Sequence, residues 1–406
     1  MKYIIMLGDG MADDPLESLG GKTPLEAADK PHIDSLAPKS LLGMVSNVPE
    51  GMKPGSDVAN LSVFGYDPKI SYSGRSPLEA ISMGIRMEES DVAIRCNTVT
   101  LSDAKCFEDK IMLDYSAGEI STEESEILIR DLADYLKDES FRLYPGISYR
   151  HCLIWKKGEK TLKLTPPHDI SDQKIGAYLP RHPFLLELIK KSYDFLSSHP
   201  LNRKRMREGK NPANSIWFWG EGTKPEMERF DEKYGLKASV ISAVDLIKGL
   251  GICAGMEVIE VEGATGTVHT NFKGKGEAAI DALLHKGMDY VYIHCEGPDE
   301  CGHHGDEQCK ILAIERIDHF IVGPLLEALK KAGEDYVLLV LPDHPTPVST
   351  KTHSSDPVPF LLYRSGKAYF SGADSYSERS CKKSGIYLRD GHLLIRYLLD
   401  EEKELP

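Results

Sequence analysis

Six side chains of the kinds that hold divalent metal ions stand out in this sequence: Asp9, Asp299, His303, Asp343, His344 and His353. Asp299-Glu-Cys-Gly-His303 sets a carboxylate and an imidazole four residues apart, so both meet on one face of a helical turn. Asp343-His344 closes an apolar run read as a strand, where adjacent side chains diverge and can address ions on either side. Together these residues suggest a two-metal site. Oxygen and nitrogen donors without thiolate favour Mn²⁺, Mg²⁺ or Zn²⁺, and the residues alone do not rank them. A lone Asp-x-x-x-His is commonly a surface pair, and Asp9 alone is readily a turn or cap residue. The metal reading rests on convergence, because the acids and histidines gather at three expected strand ends. His304 is expected to be exposed, and His269, His285, His294 and His319 are read as ordinary structural histidines.

A nucleophile is the next requirement. Pro49–Asn60, PEGMKPGSDVAN, is a Gly/Pro-rich loop that passes into the apolar run Val58–Phe64, which places Ser56 where a helix begins. Free N–H groups and the helix dipole favour an anion there, and a metal-held alkoxide is an effective nucleophile at neutral pH. The competing reading of Ser56 is a helix N-cap. Gly-x-Ser-x-Gly is absent, which argues against a Ser-His-Asp hydrolase elbow. Gly-x-x-x-x-Gly-Lys-[Ser/Thr] is absent too, which argues against a nucleotide hydrolase.

These residues need elements to carry them. Tyr3–Leu7, 257–261, Tyr290–His294, Tyr336–Leu341 and 359–363 are short apolar runs bounded by turn residues, expected as fully buried parallel strands. Between the third and fourth, 306–331 carries apolar residues at helical spacing. Strand, helix, strand implies a right-handed crossover in a parallel α/β sheet, whose functional residues gather at the strands' carboxyl ends. The segment from about 76 to about 210 has another texture, with candidate strands at 92–100 and 149–155, and is read as a smaller α+β domain inserted into the first. Residues 1–75 and 211–406 then form the other domain.

The 406 residues carry 49 Lys+Arg against 63 Asp+Glu, a formal charge of −14. That excess argues against nucleic acid as a partner. It leaves room for a small anion, since local cations can reverse the field inside one cleft. No apolar stretch approaches the roughly 20 residues that span a bilayer, and the N-terminus reads as a buried strand rather than a signal peptide. The eight cysteines form no Cys-x-x-Cys pair and are expected as reduced thiols of a cytoplasmic protein. The final residues, EEKELP, read as a solvated tail.

Taken together, Asp9, Ser56 within PEGMKPGSDVANLSVFGYDP, Asp299-x-x-x-His303, Pro342-Asp343-His344-Pro345-Thr346-Pro347 and His353 resemble the alkaline-phosphatase type of metal site. The variant most similar is the archaeal-type, cofactor-independent phosphoglycerate mutase. The resemblance runs nearly end to end through GRSPLEA, RCN, YRH, TPPHD, HPLNRKR, NPANSIWFWG, ISAVDLIKG and VEGATG. It implies an alkaline-phosphatase-like, mostly parallel sheet with helices on both faces and a smaller inserted domain that holds the glycerate. It further implies two divalent ions, with Mn²⁺ foremost and Mg²⁺, Zn²⁺ or Co²⁺ as alternatives, no nucleotide, and interconversion of 3- and 2-phosphoglycerate. By the same resemblance Ser56 becomes phosphorylated, Asp9, Ser56, Asp343 and His344 hold one ion, and Asp299, His303 and His353 hold the other. Lys248 matches a lysine that contacts the phosphoryl group, against the alternative of a solvated helix lysine. Arg95, Arg150 and His151 match positions facing the substrate, and arginine suits a carboxylate by its bidentate fork. His151 is the candidate for acid/base work, with a metal-bound group as the alternative. Where larger bacterial mutases carry Arg-x-x-Arg, this chain reads Trp219-Gly220-Glu221-Gly222, and Lys224 is the candidate to compensate. Domain closure is expected to exclude water while phosphoserine exists. A homoserine-phosphorylating enzyme and a phosphomonoesterase on the same scaffold remain the alternatives; a non-catalytic metal-binding module would be expected to lack Ser56 or some of the ligands, and every expected position is filled.

Overall fold

The structure is a computed structural model and describes residues 1–400; the expected tail, EEKELP, lies outside the described residues. The chain forms two units, Met1–Tyr72 with Glu226–Pro406, and Ser73–Pro225.

The first unit is built on an eight-stranded sheet in the order Tyr387–Leu388, Leu41–Val45, Val358–Arg364, Tyr336–Leu341, Lys2–Gly8, Tyr290–Cys295, Ala238–Ile241 and Glu257–Val258. Lys2–Gly8 lies between its two parallel neighbours, with Gly8 level with Cys295 and Leu7 level with Leu341. The central strands are apolar throughout because helices cover both faces. On one face Ile4, Met6, Val291, Ile293, Leu338 and Val340 join a core with Phe272, Ala279, Ile314, Ile317 and Leu325. On the other, Phe64 packs edge-on against Tyr292 at 4.4 Å and Phe230 lies 4.7 Å from Tyr290.

Two strand expectations and one helix expectation change. Val358–Arg364 is antiparallel to both neighbours. An apolar run gives burial but not direction; no crossover helix separates it from Leu341, so the chain returns antiparallel. The run at 257–261 supplies only a two-residue strand, Glu257–Val258, with Glu257 exposed at the sheet edge. The stretch 306–331 is helical, but as Glu307–Ile317, a wider π turn at Asp318–Val322, and Gly323–Ala332. The π turn sits just before Pro324, which has no N–H to continue the regular ladder.

The second unit is antiparallel. Val92–Leu101 pairs with Met112–Asp114, Arg150–Trp155 and Ser215–Thr223, and Arg150–Trp155 pairs in turn with Phe141–Tyr144. Helices Thr122–Leu136 and Pro183–Ser197 bury Leu128, Ile129, Leu132, Leu185, Leu188 and Ile189 against this sheet. The boundary expected at 210 moves to 225. Ser215–Thr223 is a strand of this sheet, and Ser73 and Thr223 bond each other where the chain enters and leaves.

One buried ion pair fastens the first unit near its strand ends. Lys310 and Asp13 are fully buried 2.6 Å apart, and the lysine also donates to the carbonyls of Ala12 and Thr346. Lys310→Met leaves Asp13 an uncompensated buried charge and is expected to lower stability by about 3–5 kcal/mol. Denaturant unfolding measures it, and adding Asp13→Leu should restore part of the loss.

Candidate active site

Three chains leave the central sheet within a residue of one another, and each turns at once. After Gly8 the chain passes Asp9 into Gly10, whose φ is +61°. A Cβ at Gly10 would stand 2.6 Å from both Asp299 Oδ1 and Thr346 Oγ1, so only glycine lets these segments close. After Cys295 the helix Gly297–His304 begins, carrying Asp299 and His303 on one face with Nε2 3.3 Å from Oδ2. After Leu341 come Asp343 and His344. Here the expected alternation fails, because the strand ends at Leu341 and the next residues bend. The two side chains do not diverge: His344 Nε2 lies 3.4 Å from Asp343 Oδ2.

The result is two adjoining donor groups, Asp9 with Asp343 and His344, and Asp299 with His344 and His353. The imidazole of His344 falls in both. His303 reaches the second group, with Nε2 2.9 Å from His353 Nε2. Its Nδ1 donates to the Lys351 carbonyl, which points Nε2 inward as the nitrogen able to serve as a metal ligand once it gives up its proton.

Asp9 is 1% exposed; its Oδ2 is bonded to His294 Nε2 at 2.9 Å while its Oδ1 is buried without a hydrogen-bond partner. An orphaned buried carboxylate oxygen beside two further donors fits a divalent cation. Burial first, then the charges of Asp343 and Asp299, push the Asp9 carboxyl well above the usual carboxylate range. Asp299 is held well below that range: burial opposes ionisation, but bonds from His303 and His353 outweigh it. The Asp299 bond in turn lifts His303 to about 9, and burial lowers His344.

Ser56 is the first residue of the helix Ser56–Val63, as its sequence context predicts. Its hydroxyl is not used in capping: the N-cap is Gly55, and Ser56 Oγ lies 3.2 Å from His344 Nε2. One turn on, Asn60 donates to Asp343 Oδ2 and to the Ser56 carbonyl, both at 2.8 Å. This amide therefore fixes the serine-bearing turn against the acid.

Other expected site residues sit differently. Lys248, on the helix Asp245–Cys253, bonds both carboxylate oxygens of Glu260 at 2.7 and 2.8 Å. In the second unit, Arg95 forms a two-point pair with Glu79 and lies 4.5 Å over the Trp219 ring. Arg150 is exposed beside the Tyr149 ring, and Lys224 is exposed. His151 does not suit proton transfer. It is 4% exposed, Nδ1 accepts from the Gly146 N–H, Nε2 bonds Ser125 Oγ, and burial pushes its pKa down to about 3.

Sequence reasoning missed several partners. His294 was read as an ordinary core histidine, yet it touches Asp9; its position at the end of an apolar strand beside the first was the available signal. Thr346, which donates to Asp299 Oδ1, and Asn60 carried only their nearness to predicted ligands. The thiols also differ from expectation. Cys301 and Cys309 are joined as a disulfide, while Cys96, Cys106, Cys152, Cys253, Cys295 and Cys381 are not disulfide-bonded. The helix ending at Gly305 and the next starting at Glu307 fold back on each other, and no Cys-x-x-Cys spacing announces that contact.

A hydroxyl at a helix head beside clustered acids and imidazoles is the equipment of a phosphoryl-transfer enzyme. Comparison with known proteins agrees. A profile of the 2,3-bisphosphoglycerate-independent phosphoglycerate mutase family matches residues 37–202. The chain is 49% identical over 403 residues to a probable mutase of that description from Geobacter sulfurreducens, covering 98% of this chain and 100% of the relative. It is 50% identical to the corresponding protein of Methanosarcina barkeri, covering 98% and 99%. Among solved structures, a Pyrococcus horikoshii protein superposes with a TM-score of 0.82 at 30% identity, covering 100% and 99%. The cofactor-independent phosphoglycerate mutase of Thermoplasma acidophilum superposes at 0.69 and 26%, covering 98% and 99%. The chain belongs to the family of 2,3-bisphosphoglycerate-independent phosphoglycerate mutases.

The neutral His151 yields a pH test. Its depressed pKa means that its contribution is complete above about 6.5 and is lost as pH falls towards 3, because the unfolded chain takes up the proton first. His151→Gln, which keeps an amide for Ser125, should flatten the fall of the urea midpoint between pH 7 and 4.5. The wild-type excess loss is expected to be about 2–3 kcal/mol over that interval.

Proposed function

We propose that this chain interconverts 3-phosphoglycerate and 2-phosphoglycerate through a phosphoserine at Ser56, with Asp9, Asp299, His303, Asp343, His344 and His353 holding two divalent ions. The observation that carries the reading is the Ser56 hydroxyl, free of capping duty and 3.2 Å from His344 Nε2, at the edge of the two donor groups. His344 belongs to both groups, so the assignment shares it between them. Mn²⁺ is the ion that the family resemblance puts foremost, and the oxygen and nitrogen donors without thiolate suit Mn²⁺, Mg²⁺ or Zn²⁺ alike. When bound, the ions supply positive charge that offsets the charge on the transferred phosphoryl oxygens.

The chain's own groups do the rest. Ser56 Oγ attacks phosphorus, the bond from phosphorus to the 3-oxygen breaks, and the proton given up by Ser56 ends on the 3-hydroxyl of glycerate. In the second half the 2-hydroxyl attacks, the Ser56 ester breaks, and the proton released returns to Ser56. The dipole of the helix Ser56–Val63 favours the phosphorylated state. Lys248 contacts the phosphoryl group after exchanging its Glu260 partner for the anion. Arg150 and Lys224, both exposed, are the carboxylate receptors, while Arg95 positions the aromatic surface of Trp219.

The test is to incubate metal-loaded protein with 3-phosphoglycerate, without bisphosphoglycerate, and to assay 2-phosphoglycerate. Formation of the product supports the mutase. Release of inorganic phosphate alone makes it a phosphomonoesterase, and turnover only with homoserine and a phosphoryl donor makes it a kinase. Ser56→Ala is expected to lower kcat by on the order of 10³-fold or more and to remove any trapped phosphoprotein; retained activity takes the role away from Ser56. Asp343→Ala should reduce bound metal, measured by elemental analysis, and an unchanged content shows the ligand set to be wrong.

A further inference from the structure

His294 sits at the next-to-last position of the strand Tyr290–Cys295, level with Leu7, and is fully buried. Its ring bridges two side chains, with Nε2 2.9 Å from Asp9 Oδ2 and Nδ1 3.2 Å from Ser242 Oγ. Ser242 is itself 3% exposed, and its oxygen accepts the Val244 N–H at 3.0 Å. These partners set the direction of every proton. A backbone N–H only donates, so Ser242 Oγ accepts from Val244 and has its own proton left for His294 Nδ1. A carboxylate that holds a metal ion is ionised and only accepts, so Nε2 carries the ring proton and donates to Asp9 Oδ2, which leaves Nδ1 to accept the Ser242 proton. The opposite tautomer would set a bare ring nitrogen against a carboxylate oxygen, lone pair against lone pair. The chain therefore runs one way, from Val244 N–H through the Ser242 hydroxyl and the His294 ring to Asp9 Oδ2.

We propose that His294, backed by Ser242, is a positioning residue that fixes the Asp9 carboxylate so that Oδ1 is presented to a divalent ion. The orientation of a carboxylate about its last torsion is soft, with two nearly equivalent oxygens. A bond to one oxygen removes that freedom and leaves the other as the donor. Asp9 shows this division: Oδ2 is engaged, while Oδ1 is buried without a hydrogen bond, 3.6 Å from His344 Nε2 in the group it forms with Asp343 and His344. The ring is itself anchored. Lys275, fully buried, donates to the His294 carbonyl at 2.7 Å, and the strand ladder holds its backbone on the side of Lys2–Gly8. Val244 is also the residue at which the helix carrying Lys248 starts, so one chain of bonds spans the end of Ala238–Ile241 and the Asp9 turn.

The inference rests on Asp9 being a metal ligand, and the test separates the two claims. Mn²⁺ is titrated into metal-free full-length protein, with free Mn²⁺ followed by electron paramagnetic resonance and folding checked by the thermal midpoint in chelator. His294→Asn is too short to offer its amide to Asp9, whereas the Nε2 amide of His294→Gln stands near the position of the ring donor. His294→Asn is expected to weaken one of the bound ions by about 10–100-fold, as loss of an orienting partner does. His294→Gln should stay within about threefold of wild type. Ser242→Ala should weaken the same ion by a smaller factor and add nothing in the His294→Asn background. Unchanged Mn²⁺ affinity in folded His294→Asn overturns the proposal, as does equal weakening by Asn and Gln. If His294→Asn does not fold, Ser242→Ala decides, and an unchanged affinity there overturns it. Asp9→Asn is the control: if it leaves both ions in place, the ligand reading of Asp9 has failed instead.

Discussion

Charge crowding at the carboxyl ends of three neighbouring strands governs the first unit. Asp9, Asp299 and Asp343 lie close together, each no more than 5% exposed. Carboxylates so placed are costly unless hydrogen-bonded or matched by cations. Each acid accordingly receives its own donors: His294 for Asp9, Thr346 for Asp299, and Asn60 with the Gly10 and His344 amides for Asp343. Lys310 then fixes the backbone on either side by bonding Ala12 and Thr346. What those donors leave unanswered, the second oxygen of Asp9 above all, is the part of the arrangement that calls for metal.

Much of this was legible in the sequence, for physical reasons. Buried parallel strands read as unbroken apolar runs, so Lys2–Gly8, Tyr290–Cys295 and Tyr336–Leu341 announced themselves, and with them the places where acids and histidines belong. Ser56 was found because a Gly/Pro-rich loop entering an apolar run marks a helix start. Strand direction was not legible, because a run buried on both faces looks the same either way, and Val358–Arg364 turned out antiparallel. The end of the inserted unit was misplaced because Ser215–Thr223 earns its place by pairing with residues more than a hundred positions earlier.

Individual side chains were harder still. A histidine at the end of an apolar strand is equally compatible with simple packing and with holding a ligand, and only register distinguishes them; His294 turned out to face Asp9. His151 entered through the family resemblance, and in the structure Gly146 and Ser125 take both ring nitrogens while burial lowers its pKa to about 3. The net charge of −14 also changes meaning. It leaves room for a small anion because the acids at the strand ends are those suited to gather cations.

The strand Lys2–Gly8 precedes the other strands of its sheet in chain order and lies between two partners that begin at Tyr290 and Tyr336. The second unit, by contrast, draws its sheet from one continuous stretch of chain. During synthesis the apolar run Tyr-Ile-Ile-Met-Leu must therefore wait, unpaired, while nearly three hundred further residues emerge. Placing the turn that bears Asp9 at the centre of the sheet means that the candidate site is complete only once segments nearly three hundred residues apart have paired.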